Sequence, residues 1–184
     1  MSAYERLLPF PRGETLEEGN TNLLGALSND QLLGKVFRAT DTIHGTGQDV
    51  WVMAVKNDSG AAITAAHRCV EFDTTALDFM RKVSGFCDTA GWVSLPIDDA
   101  YDGDSLEDHC IFYVVVKGPC YVKTEATSVS LGAHAQVTVD GSGYVEGAAP
   151  GAGNFVLGRI DAACTATSTN VVVHVDTLVG GEGA

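Results

Sequence analysis

CIFYVVVK, residues Cys110–Lys117, is the stretch whose reading decides the fold. Alternate positions give two sets, Phe112/Val114/Val116 and Ile111/Tyr113/Val115, and both are apolar. A strand that is apolar on both faces is covered on both sides, so other layers must pack against it. Working outward, DVWVMAVK (Asp49–Lys56) has the same texture and is either central in a sandwich or apolar on an interface face. Asn57-Asp58-Ser59-Gly60 follows it as a turn, and Ala61–Phe72 resumes strand-like texture. KVFRAT (Lys35–Thr40) and Trp92–Pro96 read as further extended pieces.

After Gly118-Pro119 the chain reads as short strands: Cys120–Thr124, Ala135–Val139, Tyr144–Glu146, Asn154–Leu157 and Asn170–Asp176. Eleven of the 21 glycines lie between Gly118 and Ala184, and they punctuate runs rich in Val, Thr and Ala. VDGSGYV is a hairpin signal. In the last strand Val171, Val173 and Val175 point one way and Val172, His174 and Asp176 the other, which predicts one core face and one partly wet face. Thr74–Lys82 (TTALDFMRK) reads equally as a capped helix or as a strand. The fold class that follows is all-β: a small β-sandwich or β-barrel, with helix below about a fifth of residues.

Residues 1–33 have a different texture. Pro9, Pro11 and Gly19 deny a regular element, yet Leu7, Leu8, Phe10, Leu16, Leu23, Leu24 and Leu27 are too many apolar groups for a free tail. One reading folds the segment back onto its own domain. The reading taken is an extended N-terminal arm that buries these seven side chains on a partner, because an irregular segment of this length is uncommon inside a compact domain. The domains expected are thus an arm over 1–33, a β-rich body over 34–178 and a glycine-rich flexible tail over 179–184.

Composition narrows the function. The formal net charge of −13, with only 11 Lys and Arg, opposes binding to nucleic acid through a basic patch. No apolar run reaches the roughly 18 residues of a membrane helix, and the N-terminus lacks the apolar core of a secretory signal. The expectation is a soluble protein made in a reducing cytoplasm. The five cysteines (Cys69, Cys87, Cys110, Cys120, Cys164) are odd in number and contain no Cys-x-x-Cys, so they read as small buried hydrophobes without a disulfide.

Motifs of catalysis are absent: there is no Gly-x-Ser-x-Gly elbow, no Walker lysine loop and no dinucleotide fingerprint. Adjacent positions separate His109 from Cys110, and His67 with Cys69 on one face supplies two ligands, too few for zinc. A pocket joining His67 to two carboxylates and an ion is what a hydrolase or metal enzyme would require. The acidic stretch Asp98–Asp108 places Gly103 between Asp102 and Asp104, which breaks the calcium-loop spacing, and it reads as a solvated loop. The expectation is no catalytic residue, no metal and no cofactor.

Three segments carry a family resemblance. VWVMAVKNDSGAAIT (Val50–Thr64) resembles the V-K-N-x-S-G-A-x-L/I strand–turn–strand texture of tailed-bacteriophage capsid decoration, or cement, proteins. DDAYDGDSLEDHCIFYVVVKGPCYVKT is similar to their acidic loop, aromatic-rich strand and Gly-Pro step. VSLGAHAQVTVDGSGYVEG, then NFVLGRIDAA and NVVVHVD, resembles their closing unit, with Leu157-Gly158-Arg159 in place of V-G-R. Ala65-Ala66-His67 departs from the pattern, where a turn glycine is expected.

The resemblance implies a non-catalytic virion structural protein on the outer surface of an icosahedral capsid. It would be a homotrimer contacting several major capsid protein subunits, assembled in the host cytoplasm. The alternative is a carbohydrate- or receptor-binding β-sandwich module of a phage head or tail fibre, for which Trp51, Trp92, Tyr101, Tyr121 and Tyr144 are the available aromatics.

Overall fold

The structure is a computed structural model, and it describes residues 8–17, 29–73, 81–86, 93–125, 129–147 and 155–177. The described residues form an all-β, sandwich-like domain. In chain order the strands are β1 (Leu16–Glu17), β2 (Val36–Thr40), β3 (Asp49–Asn57), β4 (Ile63–Thr64), β5 (Cys69–Phe72), β6 (Lys82–Phe86) and β7 (Ser94–Pro96). They continue as β8 (Ser105–Leu106), β9 (Cys110–Lys123), β10 (Gln136–Val139), β11 (Val145–Gly147), β12 (Val156–Ile160) and β13 (Asn170–Asp176). Two 3-10 turns, Asn29–Leu32 and Asp99–Tyr101, complete the described elements. No helix among the described residues is long and apolar enough to cross a membrane.

The 14-residue β9 is the spine. Its first half pairs antiparallel with β3, from Lys56↔Ile111 to Trp51↔Lys117. Its second half pairs antiparallel with β13, from Asp176↔Lys117 to Asn170↔Lys123. The sheet therefore spreads as two wings, in the order β11-β10-β12-β13-β9-β3-β6-β5-β7, with β1 added on β9 and β2 on β3. Each wing curls back to the spine through one bridge, Ile97 with Val114 and Thr124 with Val145, without closing into a barrel. Residues Cys110–Val116 are all buried, as their two apolar faces require. β3 is likewise central, buried from Val52 to Asn57. The core gathers Val52, Phe72, Leu95, Phe112, Leu157 and Ile160, among others.

Sequence reading ends a strand at Lys117 and starts another at Cys120; the structure runs straight through. Gly118 makes this possible at φ 110°, a conformation L side chains rarely adopt. Pro119 lies beyond Lys117, the last partner of β3, so its missing N–H breaks no bond of that ladder. In β13 the expected alternation holds, with Val171, Val173 and Val175 buried and Val172 and His174 half-buried. The VDGSGYV turn joins β10 to β11, Val139 facing Val145. The Thr74–Lys82 ambiguity lies outside the described residues up to residue 80, and Lys82 opens β6. The proposed tail lies outside them from residue 178.

The N-terminal arm requires correction over the part described. Phe10 is 1% exposed and stacks on Tyr113 with ring centroids 4.1 Å apart and planes 7° from parallel. Leu8 and Leu16 pack against the same core, and Leu16 and Glu17 pair with Ile111 and Cys110 of β9. Residues 8–17 are an irregular strap on their own domain. The prolines forbid a regular element but not docking, because core phenols satisfy the strap's backbone: Tyr113 Oη donates to the Phe10 carbonyl (3.2 Å) and Tyr101 Oη to that of Glu14 (2.7 Å). Leu32 is buried and Leu33 half-buried in the same body. Leu7, Leu23, Leu24 and Leu27 lie outside the described residues.

Candidate functional site

The acidic stretch after β7 holds dense polar chemistry, and it is only in part the solvated loop that its composition predicts. Asp98 and Asp99 are buried, while Asp102 and Asp104 are exposed. Asp98 caps the 3-10 turn by accepting the Ala100 N–H and receives Arg12 in a two-pronged pair, Nε to Oδ2 at 2.6 Å and Nη2 to Oδ1 at 2.5 Å. The two side chains are 0% and 7% exposed, so the strap is fastened by a desolvated ion pair. Burial pushes the neighbouring phenols of Tyr101 and Tyr113 up, leaving both as neutral donors to the strap.

Asp99 gathers three segments. Its Oδ2 accepts the Tyr121 N–H of β9 at 2.8 Å, and its Oδ1 lies 3.1 Å from His67 Nδ1. His44 brings Nε2 to 3.1 Å from Asp99 Oδ2, off the line of a hydrogen bond. The other nitrogen of His67 meets Asp102 Oδ1 at 3.2 Å. Hydrogen bonding by Asp99 raises the His67 pKa, against the opposing effect of burial and with added attraction from Asp99 and Asp102. Tyr121 packs its ring 4.4 Å from that of His44 and 5.7 Å from that of His67.

Asp41 shapes the loop that delivers His44. Its carboxylate accepts the backbone N–H groups of Ile43, His44 and Thr46 and the Thr46 hydroxyl, and it faces His44 Nδ1 at 3.0 Å. Burial works against its charge, but these bonds, led by that from Thr46, bring its pKa down to about 2.

Sequence reasoning placed His67 beside Cys69 on a strand face. In the structure His67 precedes β5 in a left-handed bend (φ 53°), so strand alternation does not govern it and its ring turns to Asp99 while Cys69 enters the core. Arg12, Asp41, His44 and Tyr121 were not singled out together, since they come from three separate segments, the strap, the β2–β3 loop and β9; Asp41 followed by Thr46 is the local trace of the loop. His67 does meet two carboxylates, the arrangement that a hydrolase or metal reading requires. Among the described residues, however, no group of three or more His, Cys, Asp or Glu is arranged to hold a metal ion. A cavity of about 300 Å³ nearby is lined by Tyr121, Asp161, Cys164, Asn170 and Val172, and His67 does not line it. Chemically, the cluster ties loops to the spine.

Cys69, Cys110 and Cys120 are buried as small hydrophobes, and burial pushes the Cys110 thiol up to about 12. Cys87 lies outside the described residues. The aromatics considered for glycan binding occupy different places. Tyr101 is in the core, and Tyr144 flanks the Arg68 guanidinium, which lies 3.3 Å from the Phe86 ring centroid. Trp92 is outside the described residues. Trp51 is 36% exposed, beside its register partners Arg38 and Lys117 on one face of the sheet. Val36 and Ile43 are the other large apolar side chains exposed among the described residues.

Comparison with known proteins adds little to this geometry. No protein-family model matches the chain, and no curated protein matches it. Among solved structures, the chain is similar to the N base of the head fibre gp8.5 of bacteriophage phi29, at 9% identity and a TM-score of 0.43, covering 68% of this chain and 92% of that one.

Proposed function

We propose that this chain is a non-catalytic virion structural protein that binds the outer surface of an icosahedral phage capsid and stabilises it by contacting several major capsid protein subunits. The observation that supports this is the order of the decoration-protein motifs along the chain, whose long strands β3, β9 and β13 lie side by side in one sheet. Val50–Thr64 supplies β3, its turn and β4; the middle motif supplies the acidic 3-10 turn, β8 and all of β9; the closing motif supplies β10 to β13. The charge of −13 suits a surface that meets coat protein and not the genome. Repeated copies, as a homotrimer, would gain from simultaneous engagement of neighbouring subunits.

Phe10, 1% exposed on its own domain, is removed from the partner-binding set. Leu8 and Leu16, which pack on the same core, are removed with it. Leu7, Leu23, Leu24 and Leu27 remain the proposed contact. Co-sedimentation with preformed capsids lacking this protein tests the reading: full-length protein pellets with the capsids and saturates. The double variant Leu23→Ser/Leu24→Ser is expected to bind at least about tenfold more weakly, since each buried leucine contributes roughly 1.5–3 kcal/mol. Full-length protein that stays in the supernatant at all concentrations overturns the proposal.

A further inference from the structure

We propose that His67 is a pH-responsive clasp, which in its charged form fastens the bend before β5 and the exposed end of the acidic segment to β9, and in its neutral form releases them. The clasp does not depend on the proposed virion role. Its basis is a mismatch in hydrogen-bonding capacity. Both ring nitrogens face carboxylate oxygens, Nδ1 toward Asp99 at 3.1 Å and Nε2 toward Asp102 at 3.2 Å. A neutral imidazole has one N–H and one lone pair, so either tautomer aims a lone pair at a carboxylate. Only the imidazolium serves both. The side chain is 11% exposed, which leaves little room for water to substitute.

The clasp acts on strained and heavily shared backbone. His67 holds φ at 53°, a conformation uncommon outside glycine. Its carbonyl accepts the Lys123 N–H of β9 at 2.7 Å. Ala65 exchanges backbone hydrogen bonds with the acidic segment, donating to the Asp104 carbonyl and accepting from the Gly103 N–H, and the Arg68 carbonyl accepts the Ile97 N–H. The bend thus joins the acidic turn, the end of β7 and the spine. The titratable groups around the ring are Asp99 and Asp102 from the acidic segment, Tyr121 from β9, and His44 with Asp41 behind it from the β2–β3 loop. Arg12 is engaged by Asp98, one residue from the hub.

The direction of the response follows from the raised pKa of His67. Charge-dependent fastening is complete below the unfolded value near 6.5 and is lost as pH rises through the higher folded value. The test is a proton NMR titration of the full chain, with the His67 ring signals assigned by their loss in His67→Gln. The His67 midpoint is expected above about 6.5 and is expected to fall in Asp102→Asn, which removes a half-exposed carboxylate and leaves the core intact. Exchange of the Lys123 amide, corrected for its intrinsic rate, should quicken several-fold across that midpoint in the natural chain and stay flat in His67→Gln. Should His67→Gln not fold, Asp102→Asn supplies the comparison, with the quickening moved to lower pH. A midpoint at or below about 6.5, or Lys123 exchange indifferent to the titration, overturns the proposal.

Discussion

Removal of residues 1–24 is expected to unfold the domain. The deletion takes away the Phe10 ring, stacked on Tyr113, and loss of a buried Phe side chain costs about 3–5 kcal/mol. It also takes away Arg12 and leaves the Asp98 carboxylate buried without its cation, a further cost of about 3–5 kcal/mol. The phenols of Tyr101 and Tyr113 lose the carbonyls of Glu14 and Phe10, and β9 loses Leu16 and Glu17 from its edge. Against the 5–15 kcal/mol by which domains are usually stable, this combination is decisive. Circular dichroism melting should show a cooperative transition for the full chain and none, or one far lower, for the shortened one. A melting temperature kept within a degree or two would mean that the strap is not part of the core.

The second large effect is expected at the pivot of the spine. A methyl group on Gly118 would sit 2.7 Å from the Asp49 carbonyl oxygen and 3.1 Å from the Val50 Cα, both backbone atoms of β3 that cannot swing aside. The φ of 110° adds strain of about 1–3 kcal/mol for any L side chain. Displacing β3 adds a cost typical of overpacking, about 1–3 kcal/mol. Gly118→Ala should therefore lower the unfolding free energy in urea by about 2–6 kcal/mol, with the strand content of any folded fraction unchanged. A loss below about 1 kcal/mol would show that β9 does not need glycine at its bend.

These two positions mark where the sequence was legible and where it was not. Alternation identifies β3, β9 and β13 because each strand's own neighbours decide its burial, and period-two patterning is a local property. The continuity of β9 through Gly118-Pro119 is invisible locally: the dipeptide reads as a break, and only the approach of Asp49 and Val50 shows that it is a bend. The strap fails for a similar reason. Pro9 and Pro11 exclude a regular element, but nothing near them announces the slot beside Tyr113 or the carboxylate of Asp98 that receives Arg12.

Asp98 and Asp99 show the limits of composition. Among six carboxylates in eleven residues, two are buried, with Arg12, His67 and the Tyr121 N–H reaching them from distant segments and the His44 ring beside them. Those partners are spread over more than a hundred positions, so no window of sequence contains them. His67 was weighed for its chemistry, but the left-handed bend (φ 53°) that turns it toward Asp99 follows from no strand alternation in the sequence.

The proposed capsid role is tested by an electron cryo-microscopy reconstruction of a phage particle in which mass spectrometry detects this chain. Density is expected on the outer face of the shell, repeated over the major capsid protein lattice, and the two-winged sheet with its long spine strand should fit into it. A shell whose outer face lacks that density, or density for this domain found on a tail or at the tip of a fibre, would contradict it.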